Sequence, residues 1–147
     1  MTDDKNAAKE LVETLRDGER GYADAADKVK DGDRAEWATT LQRFSEQRAD
    51  FRREIVELGH EYQDDVDESG TAAAALHRGW IALKDALTGD DPDGVLAAIV
   101  TGEDHAVSEY EDALGKDLSA GFREVVVRQH AAVVAARDEV KALRAAS

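Results

Sequence analysis

Apolar residues return along this chain at three- and four-residue steps in four long stretches. In the first, Ala8, Leu11, Val12, Leu15, Tyr22, Ala25 and Val29 share one face, which predicts a helix from about Lys5 to Val29. Lys30-Asp31-Gly32-Asp33 supplies a turn, with Asp33 placed to cap the next helix. Trp37, Leu41, Phe44, Phe51, Ile55, Leu58 and Tyr62 mark that second helix, and so short a turn makes the two antiparallel neighbours. An acidic, glycine-containing break over 64–71 precedes Ala73, Leu76, Trp80, Leu83 and Leu87, which predict a shorter helix over about 72–88. Pro92 suits the first position of a third long helix carrying Val95, Ile99, Ala106, Tyr110 and Leu114. Gly115-Lys116-Asp117 turns the chain into a fourth, marked by Leu118, Phe122, Val125, Val126, Val133, Ala136, Val140 and Leu143.

The expected fold is all-α: one domain over 1–147, built as a four-helix bundle from two hairpins, about 5–63 and 92–145. The connection between them is far longer than the usual loop of a helical bundle, so it carries the chain back along the bundle. A single long helical crossover between the second and third long helices is the ferritin-like arrangement. The halves also align with one another. Asp17-Gly18-Glu19 corresponds to Thr101-Gly102-Glu103, and Gln47-Arg48-Ala49 to Gln129-His130-Ala131.

Charge and composition narrow the chemistry. A formal charge of −14 repels phosphates, which argues against nucleic-acid and anionic-membrane partners. There is no cysteine, hence no disulfide, thiolate metal ligand or thiol nucleophile, as suits a cytoplasmic protein. The first ten residues read as no secretory signal, and no apolar run is long enough to span a bilayer. The expectation is a soluble acidic protein. Its serines lack a neighbouring base or elbow motif, and no glycine-rich phosphate loop is present.

The aligned positions interrupt the apolar stripes. Gly18 and Glu19 fall between Leu15 and Tyr22, Gln47 and Arg48 between Phe44 and Phe51, Gly102 and Glu103 between Ile99 and Ala106, and Gln129 between Val126 and Val133. Reflected through the turns, all lie near mid-bundle. A carboxylate in an apolar layer is costly unless paired, protonated or bound. The candidate ligand-binding layer is therefore Glu19, Gln47, Glu103 and Gln129, with the glycines allowing close helix approach. A structural layer that fixes helix register is the competing reading.

The segments LVETLRDGERGYADAADKVKD, SEQRADFRREIVEL, ALHRGWIALKDALTG and GEDHAVSEYEDALGKDL together resemble a bacterial ferritin-like family of four-helix bundles, domain of unknown function 2383, over about Leu11 to Leu143. The resemblance implies the fold and leaves the activity open. Ferritin-like di-iron proteins take one Glu from each of two helices and an E-x-x-H motif from each of the others. Glu19 and Glu103 resemble the single carboxylates, but no E-x-x-H lies at their level. Glu57-Leu58-Gly59-His60 matches it literally, about 16 Å away along the axis from the level of Glu46. A metal, if held, would use Glu19, Glu103, Asp50 and His130 with iron or manganese. His77 reads as packing in the crossover, and His105 as solvent-facing.

Two functions compete. The first is a non-enzymatic bundle, cytoplasmic and stress-associated, that binds a protein or small ligand. The second is an iron- or manganese-binding protein or oxidase. A homodimer is a further expectation, because Tyr62, Trp80 and Val125-Val126-Val127 exceed what one core stripe needs.

Overall fold

A computed structural model describes residues 2–61 and 78–146, with the side chains of 59–61 and 78 outside the description. Among the described residues the chain forms α-helices and one 3₁₀ turn, with no strand. The helices are α1 (Asp4–Val29), α2 (Trp37–Glu61), α3 (Ile81–Ala86), α4 (Pro92–Leu114) and α5 (Ala120–Ala146), and the 3₁₀ turn at Arg78–Trp80 leads into α3. The fold is an all-α bundle, in line with the periodicity. Asp33 lies in the turn ahead of α2 and the helix starts at Trp37. At α4 Pro92 opens the helix as expected, and the structure adds a cap, with the Asp91 side chain accepting from the Asp93 amide at 3.1 Å.

Side-chain contacts fix the helix directions. Asp4, at the start of α1, accepts from the Ser119 amide (2.9 Å) and hydroxyl (2.6 Å) just before α5, while Tyr22 further along meets Glu103 of α4. α1 and α4 are therefore antiparallel. Arg43 reaches Glu139, and Glu54 meets Arg128, so α2 and α5 are antiparallel too. α1 pairs with α2 and α4 with α5 across their turns, which leaves α2 and α4 parallel. The end of α2 and the start of α4 therefore lie at opposite ends of the bundle. Between them, the 3₁₀ turn and α3 pack against α4, and the 3₁₀ turn also meets α1.

Two apolar clusters fill the interior. One joins Leu11, Leu15, Ile55, Tyr110, Phe122, Val126 and Val133; the other joins Tyr22, Trp37, Leu41, Phe44, Trp80, Leu83, Leu96, Ile99 and Val140. Trp80 is wholly buried and so adds nothing to the exposed apolar surface. Of the valine run, Val126 is buried and Val127 is 51% exposed. Tyr62, Ala73, Leu76 and His77 fall outside the described residues.

Candidate functional site

The middle of the bundle is crossed by a buried ion pair. Arg48 of α2 and Glu103 of α4 are 1% and 0% exposed. They meet fork to fork, with Nη1 donating to Oε1 at 2.5 Å and Nη2 to Oε2 at 2.6 Å. The Tyr22 hydroxyl of α1 donates to the same Oε2 at 2.6 Å, and the guanidinium lies 5.3 Å from the centre of the Tyr22 ring. Arg48 Nε donates to Gln47 Oε1 at 3.2 Å. Three helices thus close one polar knot between the two apolar clusters.

Each group is tuned by its surroundings. Burial raises the Tyr22 hydroxyl well above its ordinary value, and the Glu103 charge adds to that. Burial alone would lower Arg48, but the facing carboxylate outweighs it and holds the guanidinium charged.

A second network lies about 10 Å along the axis, given the rise between Glu103 and Tyr110. The Tyr110 hydroxyl donates to Gln129 Oε1 at 2.7 Å, and Gln129 Nε2 donates to Glu54 Oε1 at 2.7 Å and to the Phe51 carbonyl at 3.3 Å. Arg128 closes on Glu54 at the surface. Burial pushes the Tyr110 hydroxyl up as well.

The residues that stand out in the sequence do not converge on one point. Glu103 and Gln129 are buried, one in each network. Glu19 sits at the rim, 32% exposed, where Arg52 donates to it from Nη2 (2.9 Å) and Nε (3.1 Å). Gln47 is half-buried and serves Arg48. Asp50 is exposed and pairs with Arg53. His130 lies 3.9 Å from Glu111, with its ring 6.5 Å from that of Tyr110. His105 is 29% exposed, lies 3.5 Å from Glu109, and backs against Gly79 rather than facing open solvent. The His60 side chain is outside the described residues.

Arg48 and Tyr22 complete the centre, although the sequence pattern alone does not assign them to it. A signal exists: Arg48 stands four residues after Phe44 and three before Phe51, on the inward step of the α2 stripe. Gln47 is one residue, about 100°, off that line.

The glycines have a use other than simple helix approach. A Cβ at Gly21 would come within 2.6 Å of the Trp80 ring, and one at Gly102 within 2.3 Å. Gly18 would meet Arg48 Nη1 at 3.3 Å and the same indole at 3.7 Å. Three glycines on α1 and α4 thus form a slot that the Trp80 indole fills, edge-on to Tyr22 at 5.6 Å. Its Nε1–H is buried without a partner, which costs about 1–3 kcal/mol.

A di-iron centre does not fit this donor set. The Glu103 carboxylate already takes three donors, Arg48 supplies the positive charge beside it, and no E-x-x-H motif stands at that level. Among the described residues no group of three or more His, Asp and Glu is placed to hold a metal ion. No described helix is long and apolar enough to cross a membrane.

A family model described as a domain of unknown function, DUF2383, matches residues 4–116. No curated protein matches the chain. The matched stretch holds Tyr22, Arg48, Trp80, Glu103 and the three slot glycines, and leaves Gln129 and α5 outside. With α1 to α4 covered end to end, the chain belongs to the DUF2383 family.

Proposed function

We propose that this chain is a non-enzymatic, ferritin-like helical bundle that acts by binding, with its mid-bundle polar centre serving architecture. One observation carries the reading. The carboxylate at the position resembling a ferritin-like ligand is neutralised by the chain's own Arg48, in bidentate contact and fully buried. A buried pair of this kind fixes which helix faces meet, a role attested for buried polar groups. The cytoplasmic, stress-associated setting rests on the ferritin-like resemblance. Self-association is part of the same reading, supported by exposed Val127 and by Ile81, which is 62% exposed. Light scattering at several concentrations tests that part.

Anaerobic ferrous titration followed by oxygen tests the main claim. The expected result is no site-specific oxidation signal, and protein purified without chelator should carry no stoichiometric iron or manganese. Saturation at about two irons per chain, the stoichiometry of a di-iron carboxylate site, would overturn the reading. Loss of that signal on replacing Glu19 or Glu103 would locate the centre in the bundle.

A further inference from the structure

We propose that the segment Arg78–Ala86 is a strap that opens as a unit, ahead of the rest of the bundle, and admits water to the Arg48–Glu103 pair. α3 has six residues, below the roughly 12–15 at which an isolated helix becomes even marginal. Its N-terminus has no side-chain cap. Ile81, Ala82, Lys84 and Asp85 face solvent, so the strap's fully buried anchors are Trp80 and Leu83, with Ala86 half-buried against the same cluster and Gly79 close to His105 of α4.

The slot beneath is independent of the strap. Gly18 and Gly21 belong to α1, and Gly102 to α4. Both helices are anchored elsewhere: α1 through Asp3 and Asp4 to the α4–α5 turn, and α4 through its long pairing with α5. Lifting Trp80 therefore leaves the walls standing. The indole and the Arg48 guanidinium both lie against Gly18, and Gly102 of the slot directly precedes Glu103, which places the indole beside the ion pair on the α1–α4 side. The unpartnered Nε1–H gains a hydrogen bond to water on opening, which favours the open form. Elements that open locally share these traits of few apolar anchors and exposed backbone.

Native-state hydrogen exchange by NMR tests this on the unmodified protein, with the two indole signals assigned through Trp37→Phe. The Trp80 indole N–H should exchange at least roughly tenfold faster than the backbone amides of Leu15 and Val133, which report global unfolding. Exchange at the same rate as those amides would overturn the proposal. Gly102→Ala gives a second measurement, because its Cβ collides with the indole. The variant should retain cooperative helical unfolding while Trp80 emission shifts to that of a solvated indole. Loss of cooperative unfolding, or an unshifted Trp80, would show the segment to be integral to the bundle.

Discussion

Glu103→Leu removes the carboxylate and leaves the Arg48 guanidinium buried at 1% exposure with no counter-charge. Breaking a buried pair from one side costs about 3–5 kcal/mol. The Tyr22 hydroxyl loses its acceptor in the same stroke, at about 1–3 kcal/mol, so this variant should be the worst of the set. Arg48→Met strands the carboxylate with one remaining donor and should fall in the same 3–5 kcal/mol range, again approximately. The double variant removes both charges and the desolvation cost of holding them, so it should lie near the parent's stability. Adding Tyr22→Phe should then recover about 1–3 kcal/mol, because the last orphaned hydroxyl is gone. Urea unfolding followed by circular dichroism, extrapolated linearly, gives each value. The coupling between the two positions should reach at least about 3 kcal/mol, the upper end for contacting residues. Single variants that each cost under about 1 kcal/mol and add in the double would refute the reasoning, since only solvated side chains behave so.

Glu19 pairs with Arg52 at the rim, so Glu19→Gln should cost under about 1 kcal/mol and add to Glu103→Leu in the same urea assay. Trp80→Ala should cost about 3–5 kcal/mol, and a change below about 1 kcal/mol would show that the slot contributes no packing. Tyr22 and Tyr110 have folded-state values raised above the unfolded one near 10. Their contribution is complete below that pH and declines as pH rises above it, because the unfolded state then loses protons that the folded state keeps. Phenolate absorbance should therefore show these two tyrosines ionising together with alkaline unfolding, and their titration near pH 10 in the folded protein would contradict their burial.

The long helices are legible in the sequence because a 3.6-residue period persists over many turns: the stripe that predicts a helix from about Lys5 matches α1 at Asp4–Val29, and Pro92 opens α4 as its chemistry requires. Which residue of each polar interruption points inward is harder to read. Gln47 and Arg48 differ by one step of helix phase, and an amide is the cheaper partner for a carboxylate because burying a guanidinium alone is expensive. Only the three-dimensional register shows Glu103 facing it. The interruptions also form two networks rather than one layer, since Gln129 bonds Tyr110 and Glu54 while Glu103 bonds Arg48 and Tyr22. Gly18 and Gly102 stand out as small residues on apolar faces, but the object needing the space is an indole from the distant connection. Nothing in local periodicity could reveal that contact.

The polar knot also bears on how the chain reaches this state. Tyr22 and Glu103 are separated by 81 positions, and Arg48 and Glu103 by 55. The α1–α2 hairpin closes over a short turn, whereas the knot waits for a loop spanning both halves, whose closure entropy comes first. Until α4 arrives, Arg48 and Glu103 remain hydrated, and stripping that water early has no reward. Their contact is therefore expected to form in the descent after the transition state. Substitutions at the pair should accordingly accelerate unfolding and leave the refolding rate nearly unchanged, giving low φ-values in a chevron analysis. A pair broken from one side thus shortens the lifetime of the assembled bundle, whereas removing both charges should leave that lifetime near the parent's.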